Sequence, residues 1–194
     1  TTGLHNISSV PTRIDRACVS LRPTARGLAL LKCLPRNRFI LPAGVKDPDL
    51  ESRGVLDLFS GCKRFAKCIC KHGAPWVLTY ELEDDPMFQD LLKESVREEI
   101  ETLLVEKCFI VFGAGPVCSS LSRAVNPPVR DAQHPYGLPH ISENMKIKVA
   151  IGNSFAIWVA KLVELSHSYV HIWVENPDGS FLWQLPPWHS LFSK

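Results

Sequence analysis

Residues 108–118 read CFIVFGAGPVC. The first five residues are all apolar, which is typical of a strand buried on both faces of a parallel sheet. The glycines and the proline that follow indicate a tight turn directly after this strand. We therefore expect Cys118 to lie on a loop at the carboxyl end of a buried strand, where open parallel sheets bind their ligands.

The same pattern of an apolar run followed by a turn occurs three more times along the chain. Strands are predicted at 55–59, 76–80 and 169–174, in addition to 108–112. Helices are predicted between them at 62–72, 84–107 and 155–165, with a long loop over 126–144. This alternation predicts an α/β fold with a Rossmann-like, doubly wound and mostly parallel sheet in a three-layer αβα arrangement.

The first 50 residues differ in composition from the rest of the chain. They carry scattered Pro, Arg and Ser and one short apolar run at 28–34. We interpret residues 1–50 as a partly irregular lead-in segment, whose arginines are either solvated or in contact with phosphate. Residues 51–194 are predicted to form the folded domain.

The overall composition is that of a globular protein, with 45% hydrophobic and 22% charged residues. A net charge of +2 is too small to indicate nucleic-acid binding by itself. Seven cysteines do not form the pattern of a disulfide-rich secreted domain, and neither a signal peptide nor a membrane-spanning stretch is expected. These features favour an intracellular protein, nuclear if the source is eukaryotic and cytoplasmic otherwise.

Candidate site residues follow each predicted strand. Ser60-Gly61 forms a turn into a helix, where the backbone can approach a ligand closely. Glu81 directly follows the second strand, about 20 residues after the Gly61 turn, which is the position of an acid that binds ribose hydroxyls in nucleotide-binding sheets. Cys118 follows the third strand and Glu175 the fourth, so a nucleophile and an acid are expected at one edge.

Three of these strand ends resemble motifs of the cytosine-5 DNA methyltransferases. Residues 57–61, DLFSG, match the cofactor motif of that family, and residues 115–122, GPVCSSLS, resemble its catalytic loop. Residues 174–177, VENP, resemble its Glu-Asn-Val motif, and Gly152-Asn153 fits the segment before it. The resemblance extends from about residue 54 to about residue 183, with the motifs in family order.

This resemblance implies a cofactor, a substrate and a set of site residues. The cofactor is S-adenosylmethionine, and the substrate is cytosine in DNA, with RNA as the alternative. Cys118 and Glu175 are the implied catalytic residues. The implied cofactor-binding residues are Phe59, Ser60, Gly61, Glu81, Gly115, Pro116 and Asn153. The implied substrate-binding residues are Ser119, Ser122, Arg123 and Asn176.

Some of these residues also have a simpler structural interpretation. Asn176 is expected to bond within its own turn, and Asn153 to cap the start of a helix. Ser119 and Ser122 are expected to cap a helix after the loop. Arg123 is either a phosphate contact or a surface residue.

The chain departs from the family pattern at Val117, Ser119 and Pro177, and two further departures are larger. Lys63 and Arg64 stand where the family has glycines in its cofactor turn. Few residues follow 174–177, so we expect either a fragment or minimal domain, or recognition elements that lie elsewhere, for example on a protein partner. Gly152-Asn153 also resembles the family's final motif, which leaves a rearranged motif order open.

Three other interpretations remain open. The first is a non-catalytic methyltransferase-like domain that binds nucleic acid or a protein partner. Trp183 and Trp188 are then either exposed contacts for that partner or part of a packed tail. The second is a methyltransferase for exocyclic amines that uses Asn126-Pro127-Pro128. The third, a metal site built from Cys62, Cys68, Cys70 and His72, is disfavoured because their spacing lacks the paired form of common zinc sites.

Overall fold

The computed structural model describes residues 21–193. In this part of the chain the strands form one five-stranded mixed sheet in the order β1-β3-β2-β4-β5. The strands are β1 (Phe39–Ile40), β2 (Gly54–Leu58), β3 (Val77–Tyr80), β4 (Phe109–Ala114) and β5 (His171–Val174). The helices are α1 (Ala25–Cys33), α2 (Arg64–Lys71), α3 (Glu94–Val105), α4 (Glu143–Ser166) and α5 (Pro186–Phe192). Two short 3-10 helices cover Arg36–Arg38 and Phe181–Gln184.

The prediction of an α/β fold with a mostly parallel sheet is confirmed, and this architecture is compatible with a Rossmann-like fold. β2, β3, β4 and β5 are parallel to their neighbours, and β1 alone pairs antiparallel, with β3. Strand β1 lies within the predicted lead-in segment. Its contact with the sheet shows that residues 39–40 pack on the domain.

The two faces of the sheet are covered unequally. Alternate residues of β2 point to opposite faces, so Leu56 and Leu58 join a large apolar cluster with residues of α1, α3, α4 and α5. Val55 faces the other way and joins a small cluster with Ala66 and Cys70 of α2. Among the described residues, α2 is therefore the only helix with residues in the small cluster.

A polar cluster links the lead-in segment to the domain. The buried Arg38 guanidinium donates to Glu99 of α3 at 2.8 Å and lies 4.3 Å from the centre of the Tyr80 ring. The Tyr80 hydroxyl donates to the same Glu99 carboxylate at 2.5 Å. Burial is the main reason that the pKa of Tyr80 lies well above its ordinary value. Residues 1–20 lie outside the described residues, and so does the prediction that their arginines are solvated or contact phosphate.

Two predicted helix boundaries are wrong. α3 begins at Glu94 and not near Asp84, because the Asp85 carboxylate accepts hydrogen bonds from the amides of Met87 and Phe88 and closes a turn there. α4 begins twelve residues before the predicted Phe155. Its preceding residue, Ser142, accepts backbone bonds from Met145 and Lys146 and starts the helix.

α4 also corrects the expectation about membrane-spanning length. Its 24 residues are long and apolar enough to cross a membrane by length and composition. Half of its most apolar window is buried inside this fold, and a single helix of this kind is weak evidence for a membrane span. Among the described residues no other helix passes that test.

Candidate functional site

The four parallel strands end at the same level of the sheet. Leu58 pairs with Tyr80 on one side and Ala114 on the other, and Ala114 pairs with Val174. Their following residues therefore leave the sheet at one edge. The predicted residues at this edge are Phe59, Ser60, Gly61, Glu81, Gly115, Pro116 and Glu175.

Glu175 lies beside the start of the Cys118 loop. Its amide donates to Ala114 O at 2.9 Å, which continues the β4–β5 pairing by one residue. Its Oε2 lies 3.6 Å from the position that a Cβ on Gly115 would occupy. The carboxylate of the fourth strand end thus faces the turn that follows the third.

Asn176 joins the same two strand ends by a hydrogen bond. Its Nδ2 donates to the carbonyl of Pro116 at 2.8 Å, while its Oδ1 is buried without a hydrogen-bond partner. The expectation that Asn176 bonds within its own turn is therefore wrong. The amide instead fixes the Cys118 loop to the end of β5, because the Pro116 carbonyl belongs to that loop.

Cys118 is exposed at the start of a chain of turns. Its carbonyl accepts bonds from the amides of Leu121 and Ser122 at 3.0 and 2.8 Å, so the loop folds back after the thiol. In the described chain no helix starts between Cys118 and Glu143, so Ser119 and Ser122 do not cap one. The Ser122 hydroxyl accepts from the amide of Ala124 at 3.1 Å and supports a local turn.

Arg123 packs on the C-terminal segment of the chain. Its guanidinium carbon lies 5.5 Å from the centre of the Phe181 ring, and its Cδ lies close to Gly179. The side chain is exposed and forms no ion pair in the described chain. Contact with a phosphate remains a prediction for this residue.

The turn after β2 has an unusual backbone. Phe59 and Gly61 have φ values of 59° and 48°, in the left-handed region that a bulky side chain rarely adopts. The Phe59 ring packs edge to face on Phe155 of α4, with ring centres 5.0 Å apart. Glu81 Oε2 accepts the Gly61 amide at 2.7 Å, and the Ser60 hydroxyl oxygen is buried without a partner.

The two basic residues of this turn are placed differently. The Lys63 ammonium forms an ion pair with Asp84 at 2.7 Å and is largely covered. Arg64 is exposed as the first residue of α2. The Lys63 charge is therefore already neutralised within the protein.

Asp57 is a site residue that our sequence reasoning missed. It is the fourth of the five residues of β2, with 3% of its surface exposed, and its Oδ2 has no hydrogen-bond partner. Burial, and to a smaller extent the neighbouring Glu81 carboxylate, raises its pKa from 3.8 to about 7. The signal in the sequence was an acid within the otherwise apolar run 55–59.

Asn153 lies inside α4, so the expectation that it caps a helix is wrong. Its Oδ1 accepts from Arg130 Nη1 at 2.6 Å, and its Nδ2 donates to Tyr136 O at 2.8 Å. Both ends of the amide are thus engaged within the protein. Asn153 also lines a cavity of about 280 Å³ between α4 and residues 136–141. None of the residues at the strand ends lines this cavity.

Arg130 is the second residue that our sequence reasoning missed. Its side chain is 3% exposed, and its guanidinium donates to acceptors from three segments. These acceptors are Ser120 O at 2.7 Å, Ser120 Oγ at 3.2 Å, Pro135 O at 2.5 Å, Val149 O at 3.1 Å and Asn153 Oδ1 at 2.6 Å. Burial lowers the pKa of Arg130 to about 10. This residue therefore ties the Cys118 loop to α4.

Asn126-Pro127-Pro128 lies in the loop between β4 and α4. All three residues are exposed, and they begin twelve residues after β4 ends at Ala114. They therefore lie outside the turns that directly follow the strands.

The C-terminal tryptophans form a packed tail, which is one of the two interpretations of the sequence, and they are not exposed as partner contacts. Trp188 is 3% exposed and donates to Ala156 O at 3.1 Å. Trp183 donates to Pro177 O at 3.0 Å and packs edge to face on Trp188. The tail thus forms part of the core next to α4.

The cysteines of the described chain are free. Cys68 is exposed and Cys70 is buried, although both belong to α2. Residues 21–193 contain no group of three or more His, Cys, Asp or Glu side chains that could hold a metal ion.

Comparisons with protein families, with curated proteins and with solved structures found no match to this chain.

Proposed function

We propose that this chain is an S-adenosylmethionine-dependent methyltransferase domain that acts on carbon 5 of cytosine in nucleic acid, DNA rather than RNA. One observation carries the proposal: the in-register ends of β2, β3, β4 and β5 bring the Phe59–Gly61 turn, Glu81, the Cys118 loop and Glu175 to one edge. These are the residue types that the chemistry needs, in the order in which the resembling family carries them.

The β2 and β3 ends offer groups that fit the cofactor. Ser60 Oγ and Asp57 Oδ2 are buried without partners, so they are available to a polar ligand. Glu81 bonds the Gly61 amide through Oε2 alone, which leaves Oε1 for ribose hydroxyls. When bound, S-adenosylmethionine supplies an electrophilic methyl group.

The β4 and β5 ends offer the groups that act on the base. The Cys118 thiolate adds to carbon 6 of the ring, and the bond electrons move so that carbon 5 becomes nucleophilic. Glu175 holds the proton at ring nitrogen 3 that balances this charge. Once carbon 5 carries the methyl group, its proton would pass to solvent water, and the C6–S bond would break with its electrons returning to the Cys118 thiolate, which restores the aromatic ring. Asn176 and Arg130 hold the loop that carries the thiol.

Covalent trapping tests this proposal directly. An oligonucleotide with 5-fluorocytosine cannot lose its substituent from carbon 5, so we expect a denaturation-resistant adduct in the presence of the cofactor. Cys118→Ala should abolish the adduct and Glu175→Gln should slow its formation. Cys33→Ala is the matched control, since Cys33 is also exposed but ends α1.

Three outcomes would contradict the proposal. An adduct that persists in Cys118→Ala would assign the nucleophile to another residue. Methylation of exocyclic amines that requires Asn126 would favour the amine methyltransferase. Absence of any calorimetric signal with S-adenosylmethionine would favour a non-catalytic domain.

A further inference from the structure

The outer surface of α2 is a strip of unpaired positive charge. Arg64, Lys67 and Lys71 are exposed and stand three and four residues apart, which places them along one side of the helix. None of the three has an ion pair or a hydrogen-bonded side-chain partner within residues 21–193. Lys63, by contrast, is neutralised by Asp84. We call Arg64, Lys67 and Lys71 the basic strip.

The charge of this segment differs from that of the rest of the chain. Residues 61–72 contain four of the 22 basic residues and none of the 20 acids. The whole chain has a net charge of +2, so the remaining residues together carry −2. The strip is therefore a local excess of positive charge on a protein that is otherwise slightly acidic.

An exposed aromatic residue lies next to α2, the helix that carries the basic strip. Trp173 of β5 stacks on Phe65 of α2 with ring centres 4.9 Å apart and planes 6° apart. Phe65 covers one face of the indole, yet 45% of Trp173 remains exposed. His171 is also exposed and lies two residues earlier on the same side of the strand.

Gly113 of β4 allows this aromatic pair to lie close to the sheet. A Cβ at Gly113 would stand 3.2 Å from Phe65 and 3.3 Å from Trp173, which is tighter than ordinary contact. Among the described residues, α2 is the only helix that packs on this face, so the part over β5 stays open. The basic strip and Trp173 are therefore both exposed on the α2 side of the sheet.

We propose that this face binds a single-stranded segment of nucleic acid. The basic strip contacts successive phosphates and Trp173 stacks on a base, which is the combination that binds single strands without sequence preference. Because Arg64 begins α2 directly after the Phe59–Gly61 turn, the strip starts near the strand ends and runs away from them. The inference rests on the proposed function for its nucleic-acid substrate, and it adds the path by which the strand reaches the site.

Charge reversal on two faces of the protein tests the inference. The test variant is Lys67→Glu/Lys71→Glu, and the matched control is Lys32→Glu/Lys148→Glu. Lys32 and Lys148 are equally exposed and unpaired but belong to α1 and α4, which cover the opposite face. Fluorescence anisotropy would follow binding of a labelled single-stranded oligonucleotide that contains no cytosine, without cofactor, at several salt concentrations.

We expect the test variant to bind at least tenfold more weakly than the unmodified protein. The slope of log K against log salt should become shallower by about 1.4, the value for two lost phosphate contacts on a single strand. The control should stay within about threefold. Trp173→Phe should reduce the quenching of tryptophan fluorescence when the oligonucleotide binds. The thermal unfolding midpoint of this variant checks that it is folded.

Equal losses in the test and control variants would overturn the inference. A second result would also overturn it: the protein binds no oligonucleotide but associates with itself, and Trp173→Ala abolishes that association. A second copy of the chain would then cover this face. Because the oligonucleotide lacks cytosine, the result is separate from the trapping experiment. Loss of trapping with intact binding would count against the proposed reaction alone.

Discussion

Arg130 and Ser120 are joined by two hydrogen bonds, from Nε to the Ser120 carbonyl at 2.7 Å and from Nη2 to the Ser120 hydroxyl at 3.2 Å. Ser120 lies two residues after Cys118. The guanidinium is buried, and its partners in the described chain are carbonyl, hydroxyl and amide oxygens without a carboxylate. A buried charge without an opposite charge depends on such bonds for its stability.

We expect Arg130→Ala to destabilise the protein by about 3 kcal/mol or more. The change leaves the buried Ser120 and Val149 carbonyls without this donor, and each unsatisfied buried group costs about 1–3 kcal/mol. Arg130→Lys should recover part of the loss, because an ammonium reaches fewer of the five acceptors. Urea unfolding measures these differences.

Arg123→Ala is the matched control for this change. Arg123 is exposed and contacts the Phe181 ring only at 5.5 Å, so the loss should be within about 0.5 kcal/mol. The rate at which the Cys118 thiol is alkylated would report the position of its loop. We expect this rate to change in Arg130→Lys under conditions in which that variant is fully folded, because its loop is held by fewer bonds. Similar stability losses for the two arginines would show that the Arg130 bonds do not hold the loop.

Gly152→Ala is expected to destabilise the same contact between α4 and the Cys118 loop. A Cβ at Gly152 would collide with Ser120 Oγ and stand 3.3 Å from Arg130 Nη2. Alanine in a helix interior gains about 1 kcal/mol over glycine, while overpacking costs about 1–3 kcal/mol. The sum should be a net loss, measured by urea unfolding.

A second substitution identifies the cause of that loss. Ser120→Ala removes the hydroxyl that meets the new Cβ, so Gly152→Ala/Ser120→Ala should lose less than the two single changes together. A double-mutant cycle gives this coupling energy. Additive losses would place the strain elsewhere than between Gly152 and Ser120.

The Asp57 carboxyl makes stability depend on pH in a predictable direction. Its folded pKa of about 7 lies above the ordinary value of 3.8, so the folded state binds a proton that the unfolded chain releases. The stability that this proton provides is complete below about pH 4 and falls as the pH rises to about 7. A difference of about three pKa units corresponds to about 4 kcal/mol.

Asp57→Asn should remove this dependence. The amide stays neutral, so the variant should be more stable than the unmodified protein at pH 8 and gain little at pH 4. Urea unfolding at both pH values measures the two differences, and Asp47→Asn, at an exposed carboxylate, serves as the control. An equal effect of Asp57→Asn at both pH values would refute the raised pKa.

The sheet and its edge were predictable because they depend on local patterns. The apolar run of β4 and the glycine after it locate a buried strand and its turn without any long-range information. Parallel pairing then implies that Glu175 and the Cys118 loop leave the sheet at the same edge. Asp57 stands out in the sequence as an acid within the apolar run of β2. Its burial, however, depends on neighbours from other strands.

The remaining features depend on contacts between distant segments. Arg130 lies in a stretch without periodicity, and its partners in Ser120, Val149 and Asn153 become neighbours only when α4 packs on the loop. For the same reason Asn153 resembled a helix cap in the sequence. The start of α3 was misplaced because acids before a helix predict its beginning, whereas Asp85 closes a separate turn.

The backbone of Lys63 leads to the last prediction. Its φ of 59° lies in the left-handed region, which costs a residue other than glycine about 1–2 kcal/mol. Lys63→Gly removes that cost and also removes the ion pair with Asp84, which as a partly exposed pair is worth about 0–1 kcal/mol. We therefore expect Lys63→Gly to raise the stability by up to about 1 kcal/mol. Asp84→Asn removes the ion pair alone and should lower the stability slightly, so urea unfolding of the two variants separates backbone strain from charge. A loss in Lys63→Gly larger than that in Asp84→Asn would mean that the left-handed backbone at Lys63 is not strained.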